Sequence, residues 1–473
     1  VANGGKLVQF EKIQFCDGNP VNFRDSLSGK DPDVSFYNAL STSVIKQVFL
    51  PDDLHILLNT PITENGSLYH HRRSVKDGQL LFLSNANLTQ SATGTISVKG
   101  KKHILLMDAG TGTVLNYPQS GTPEQTRFNI TVPPAGSLLF FIADGEQKAT
   151  DSYTPVLSKT VIKGSATTVE RPQENTLMID FCDVKVQGKE EKDIHVKAAT
   201  QRVFTANGFS ADPWDHQMQF KTEWVQRDTF SAGSGFTVSY HFFIGDGVDT
   251  KNFRAVVEQG SLWSAIRING QEIHPGNNWW LDRAFTALEI GPYLRSGNNT
   301  LTLTRATMSI YAEIGPLFLL GNYNLETTAK GWKIVPPESM VTGSWKKQGL
   351  PMYGHTVVYK KTVDLSRYNG RYLLQLDSLK GSLAAVTING QEAGIIYAEP
   401  YTLDVTKYMR TGKNKIEVTV VGSLRNLMGP HYNAYRQGYT GPDSWGNIPG
   451  YPPGAQYILF DYGLDAIRLY QAQ

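Results

Sequence analysis

Two stretches of this 473-residue chain gather the residue types that hold flat, hydroxylated rings. Asn277-Asn278-Trp279-Trp280-Leu281-Asp282 sets two indoles beside two amides and a carboxylate. The segment 427–457 carries His431, Tyr435, Arg436 and Trp445 among Gly429-Pro430, Gly441-Pro442 and Pro452-Pro453, with little regular periodicity. An aromatic face meets the C–H face of a sugar ring while amide, guanidinium or carboxylate groups pair with its hydroxyls, and such sites are concave with few polar groups. Trp279, Trp280 and Asp282, together with His431, Tyr435, Arg436 and Trp445, are therefore the candidate carbohydrate-binding residues. The bland reading stands beside this one. A loop longer than about 12–15 residues is uncommon in a compact domain, and its rings serve equally to pack over a sandwich or against another domain.

Other chemistries find less support. Glycoside hydrolysis needs two carboxylates flanking the scissile bond. Asp212, Asp215, Glu223, Asp282, Asp443 and Asp461 lie near aromatics but are scattered, and spacing brings no two of them together. Gly233-Ser234-Gly235 precedes a strand pattern rather than forming a strand-to-helix elbow, so it reads as a loop. Gly110-Thr111-Gly112 lacks the Lys and helix of a phosphate cradle. Asp246-Gly247-Val248-Asp249 offers oxygens that suit a hard cation, yet a hairpin turn accounts for it as well.

The elements that must position these residues are announced by a repeat. Ile268-Asn269-Gly270-Gln271-Glu272 recurs 120 residues on as Ile388-Asn389-Gly390-Gln391-Glu392. In the same order, Gly235-Phe236-Thr237-Val238-Ser239-Tyr240 answers to Gly354-His355-Thr356-Val357-Val358-Tyr359, and Tyr293-Leu294-Arg295-Ser296-Gly297-Asn298-Asn299 to Tyr408-Met409-Arg410-Thr411-Gly412-Lys413-Asn414. The unit exceeds any solenoid repeat, so two copies of a whole domain are expected. Alternation in 237–242, 300–304 and 415–420 has the period of a half-buried strand. Asn-Gly between such runs is the strongest short hairpin signal, because both central residues need positive φ. Each copy is expected to be a β-sandwich.

Further strands are expected at 67–73, 80–85, 95–98, 104–107 and 137–142. Near the start, Gly4-Gly5 leads into a strand, and helical spacing of Phe36, Leu40, Val44 and Val48 runs from Asp33 to Phe49. These residues read as the tail of an α/β domain that begins upstream of Val1. The expected organisation is mainly β: 1–55 as that tail, 56–155 as a small β-sandwich, 156–330 as a first jelly roll and 331–473 as a second.

The order of strand, Asn-Gly hairpin, aromatic stretch and Gly-x-Asn turn resembles the galactose-binding-like jelly rolls of glycoside hydrolases. Gly349-Leu350-Pro351-Met352-Tyr353-Gly354 with Tyr359, Ile388 to Gly394, Pro400, Asp404-Val405-Thr406 and Gly412-Lys413-Asn414 resembles the sugar-binding domain of glycoside hydrolase family 2. His70-His71-Arg72-Arg73, Gly78 to Asn85, and Met107-Asp108-Ala109-Gly110-Thr111-Gly112 resemble the succession after the catalytic barrel of glycoside hydrolase family 106, the α-L-rhamnosidases and relatives. That resemblance implies catalytic carboxylates and calcium in an upstream barrel of the parent enzyme. It assigns no catalytic residue and no cofactor to this chain.

Composition narrows the partners. With 45 basic against 43 acidic residues and no basic tract, nucleic acid is excluded as an expected partner. No run reaches the roughly 18 apolar residues of a membrane helix. Cys16 and Cys182 are too few for a disulfide framework and leave a single bridge between them open. The chain is thus expected to be the C-terminal accessory region of a secreted or periplasmic glycoside hydrolase acting on a plant or algal polysaccharide. The alternative is a non-catalytic carbohydrate-binding or scaffold protein of β-sandwiches.

Overall fold

Apolar–polar alternation makes strands of most segments in the computed structural model, which describes residues 7–9, 15–16, 19–20, 34–36, 53–59, 68–156, 158–210, 229–311, 313–432, 448 and 450–472. The chain forms two units, 1–156 with 398–400, and 157–397 with 401–473.

The first unit opens on a parallel pair, Leu7–Gln9 with Val34–Phe36. The helical spacing expected from Asp33 therefore does not start there. Val34 and Phe36 suit a strand, and a neighbouring strand supplies backbone partners that side-chain periodicity cannot report. Positions 40, 44 and 48 lie outside the described residues. Beyond these, a six-stranded sheet runs in the order Asp151–Ser152, Thr113–Asn116, His103–Asp108, Ser137–Ala143, Gly78–Asn85, Leu68–Val75. A four-stranded sheet runs Ser120–Thr122, Gln125–Val132, Ala92–Lys99, Leu54–Leu58. Phe128, Ile130 and Val132 turn inward while Arg127, Asn129 and Thr131 face solvent, and the inner residues meet Leu81, Leu83, Ile104 and Phe140 of the other sheet.

The motif residues of this unit hold loops together. Arg72 Nη2 reaches Asp53 Oδ2 at 2.5 Å and Gln79 Oε1 at 2.6 Å. The buried Asn85 amide donates to the carbonyls of Gln90 and Pro133 at 2.8 and 2.9 Å. Asp108 Oδ1 accepts from Gly110 N at 2.8 Å.

The second unit contains two sandwiches with one strand order. In the first, Asn175–Ile179, Leu317–Gly321, Arg254–Glu258, Asp282–Glu289 and Trp279–Trp280 form one sheet, in that order. Its second sheet runs Lys189–His195, Phe181–Val186, Phe236–Ile244, Gly297–Arg305, Ala265–Ile268, Gln271–Ile273. In the second sandwich the corresponding orders are Lys159–Ile162, Ala466–Ala472, Arg371–Asp377, Thr402–Asp404, and Thr168–Glu170, Thr356–Leu365, Gly412–Val421, Leu383–Ile388, Gln391–Ile396. Lys159–Ile162 and Thr168–Glu170 thus precede the first sandwich in the chain yet pair into the second.

The repeated signature is a turn held twice by the same atoms. Asn269 and Gly270 have φ of 50° and 85°, and Asn389 and Gly390 have 53° and 80°. The Asn269 amide donates to Asn299 Oδ1 at 2.8 Å and to Tyr293 O at 2.9 Å. The Asn389 amide donates to Asn414 Oδ1 at 2.9 Å and to Tyr408 O at 3.1 Å. Asn299 and Asn414 are buried, and each closes the preceding turn, donating to Arg295 O and Arg410 O at 2.7 Å. Buried polar groups need such partners, so Asn-Gly and Gly-x-Asn recur together.

Candidate functional site

Ile273 ends the hairpin after Asn269-Gly270, and the chain then crosses to the other sheet as Trp279–Trp280. A register shift lies between those two tryptophans: Trp279 faces Thr286 and Trp280 faces Asp282. Leu281 closes this tip with φ of 61°, a left-handed conformation that costs an L side chain about 1–2 kcal/mol. Neighbours in a strand point to opposite faces, and the two indoles meet different surroundings. Trp279 is 54% exposed. Trp280 is half-buried, with its ring 5.5 Å from Phe318 and 6.4 Å from the His355 ring of the second sandwich.

An open cleft of about 480 Å³ lies beside Trp279, lined also by Ser261, Asn277, Asn278, Arg283 and Thr286. The Pro275-Gly276 bend forms its remaining edge. Asp282 is exposed and its Oδ1 accepts from Ala284 N at 2.8 Å, so it shapes the tip rather than the cleft. The cleft combines a flat indole, two amides that donate and accept, and one guanidinium.

The second group falls differently. Tyr435, Arg436 and Trp445 lie outside the described residues. His431 is only 5% exposed, and its Nε2 donates to Asn426 O at 2.9 Å. Burial holds the imidazole below its ordinary pKa. It belongs to a buried polar cluster centred on Asp180.

Asp180 sits between Asn175–Ile179 and Phe181–Val186 and is 2% exposed. Tyr432 and Tyr457 donate their hydroxyls to its two oxygens at 2.6 and 2.9 Å. His195 Nε2 lies 3.4 Å from Oδ2. Its Nδ1 accepts from Lys197 N and caps the helix Val196–Ala206. That bond places the proton on Nε2, aimed at Asp180. Burial opposes ionisation, but the bonds from His195 and Tyr432 outweigh it and hold the carboxyl below its usual range. Burial, then the Asp180 charge, pushes both tyrosine hydroxyls far up, so they stay donors. Tyr451 stacks on Phe181 at 4.4 Å. The cluster thereby fastens the first sandwich to His431, Tyr432, Tyr451 and Tyr457. Sequence reasoning missed Asp180, although a lone carboxylate in the apolar run Leu177-Met178-Ile179-Asp180-Phe181 signals a buried charge that needs partners.

One more carboxyl is perturbed. Burial, with the charges of Glu313 and Asp282, raises Glu258 to about 7. It lines a small void with Tyr240, Trp263 and Glu313, apart from the Trp279 cleft. Asp212, Asp215, Glu223 and Asp443 lie outside the described residues, and the remaining candidates have structural partners. Asp461 pairs with Lys380 at 2.8 Å, Ser234 Oγ donates to Ser231 O at 2.7 Å, and Asp249 accepts from Lys251 N at 3.0 Å. Among the described residues no group of three or more His, Cys, Asp or Glu is placed to hold a metal, and no helix is long and apolar enough to cross a membrane. Cys182 is a buried free thiol.

No protein-family model matches this chain. Over 120 residues, 24% of the chain, it is 30% identical to a protein of Formosa agariphila named "Putative beta-glucuronidase", of which the match covers 10%. The rhamnosidase from Novosphingobium sp. PP1Y aligns with 94% of this chain and 27% of its own, at 13% identity and a TM-score of 0.41. The β-D-mannosidase from Dictyoglomus thermophilum aligns with 52% of this chain and 31% of its own, at 14% identity and a TM-score of 0.21. The chain therefore spans about a tenth of the curated relative it matches and less than a third of either enzyme, and its candidate site is defined by its own residues around Trp279.

Proposed function

We propose that this chain is the carbohydrate-binding accessory region of a glycoside-cleaving protein and seats a saccharide in the cleft at Trp279. The observation that carries this reading is a tryptophan left 54% exposed beside a cleft whose other walls are amides, hydroxyls and a guanidinium. Exposing an indole forgoes the burial that usually stabilises it, whereas a sugar ring covers it. Among the described residues no carboxylate lines the cleft, and the reading therefore assigns it binding rather than hydrolysis. The partial match to a protein named for glucuronidase activity supports a glycosidase context. The resemblance of His70 to Arg73, Gly78 to Asn85 and Met107 to Gly112 to family 106 supports a rhamnose-containing plant or algal polysaccharide outside the cytoplasm.

Affinity electrophoresis of the full chain against plant and algal polysaccharides tests the reading. At least one glycan retards the protein, and Trp279→Ala abolishes most of the retardation without moving the melting temperature. Retardation that survives Trp279→Ala unchanged, or none with any glycan, overturns it.

A further inference from the structure

We infer that the Trp279 cleft selects an anionic sugar residue, a uronate or a sulfated unit, whose charged group is held by Arg283. The inference rests on the carbohydrate reading of the same cleft. Arg283 is the one charged side chain lining it. Other arginines of the same sandwich are engaged: Arg254 pairs with Glu174, Arg267 with Glu272 and Arg202 with Glu191. Arg283 has no ion pair or hydrogen bond among the described residues, although Asp282 precedes it, because Asp282 turns its Oδ1 to Ala284 N. The guanidinium is thus exposed, unspent and next to the exposed indole.

The chemistry of the walls divides the work. The Trp279 face is sequence-neutral toward sugars, since every pyranose presents a C–H face. Asn277 and Asn278 each donate and accept, which suits neutral hydroxyls. A planar guanidinium instead matches two oxygens of one carboxylate or sulfate, giving paired, charge-assisted hydrogen bonds. Only an anionic residue uses all three features together. Asp282 and Glu289 share a strand with Arg283, with Glu289 at its far end opposite Arg254, and Glu258 lies on the strand beside it. Asp282 is committed to its own turn and Glu258 faces a separate void, so neither neutralises Arg283 directly.

The test uses the full chain in isothermal titration at low and at moderate salt. The probes are an oligogalacturonate with its carboxyl-reduced neutral counterpart, and a sulfated galactan oligosaccharide with its desulfated counterpart. One anionic probe binds on the order of tenfold more tightly than its neutral counterpart, and salt narrows the gap. The arm in which the gap appears identifies carboxylate or sulfate as the group. Arg283→Gln brings the anionic probe down to the affinity of its counterpart, and Arg283→Lys, which keeps charge but loses the fork, falls between. Equal affinity for charged and neutral probes, or a gap that persists in Arg283→Gln, overturns the inference and leaves the carbohydrate reading standing. Absence of binding by all four probes, with no polysaccharide retained, overturns both.

Discussion

Adjacent tryptophans at 279 and 280 are chemically identical and physically opposite. Trp279 stands out beside a cleft, whereas Trp280 packs on Phe318 and reaches the His355 ring. Trp280→Ala is therefore expected to lower stability by about 3 kcal/mol, read as a shift of the urea midpoint, while glycan retention persists. A large loss of retention with unchanged stability would reverse the two roles. Glu258 supplies a second prediction at this scale. Its folded pKa lies near 7, above its unfolded value, so the folded state holds its proton longer. Stability contributed by this group is thus present at about pH 4.5 and lost as pH rises to about 7, after which the curve is flat. Glu258→Gln should remove that decline when urea midpoints are compared at pH 5 and pH 8. An undiminished decline in the variant would place the titration elsewhere.

At the scale of elements, the paired asparagines make the hairpin and the following turn one unit. Removing the buried Asn299 side chain leaves the Arg295 N–H and the carbonyls of Arg295 and Gly297, all partly buried, without these partners. Removing Asn414 does the same at Arg410 and Gly412. Each Asn→Ala change should cost about 2–3 kcal/mol, with the two values close to one another. A cost near zero at one site only would break the equivalence of the two turns. Asp180 plays the corresponding part between elements. Asp180→Ala leaves two tyrosine hydroxyls and the His195 N–H without their acceptor. A loss of roughly 3 kcal/mol is expected, and limited proteolysis should then reach the chain near Tyr432 and Tyr457 first. Unchanged protease resistance would show that packing alone holds this junction.

For the molecule as a whole, the two sandwiches of the second unit share an apolar junction. Met352, Leu427, Tyr457 and Leu459 join the core of the first sandwich although the chain reaches them after it. Hydrolysis demands a carboxylate pair across an open cleft. The full chain is accordingly expected to turn over neither an aryl α-L-rhamnoside nor an aryl β-D-glucuronide. Turnover that disappears when one carboxylate of this chain is changed would refute that expectation.

What the sequence determined alone is what depends on neighbours along the chain. Period-two alternation placed Gly78–Asn85, Ala92–Lys99, Ser137–Ala143, Phe236–Ile244 and Gly412–Val421 to within a few residues of their ends. The Asn-Gly pairs declared their turns because few other residues accept positive φ twice in succession. The mainly β sandwich architecture and the doubling followed from those two signals. Tertiary structure decided everything that rests on distant pairing. Val34–Phe36 became a strand because Leu7–Gln9 lies beside it. Lys159–Ile162 and Thr168–Glu170 joined the second sandwich through partners near 470 and 360. Asp180 acquired acceptor bonds from tyrosines 252 and 277 residues away. Which of the two tryptophans faces the cleft depends on how their strand pairs with 282–289, since neighbouring residues point to opposite faces and a one-residue slip would exchange them without altering a single residue type.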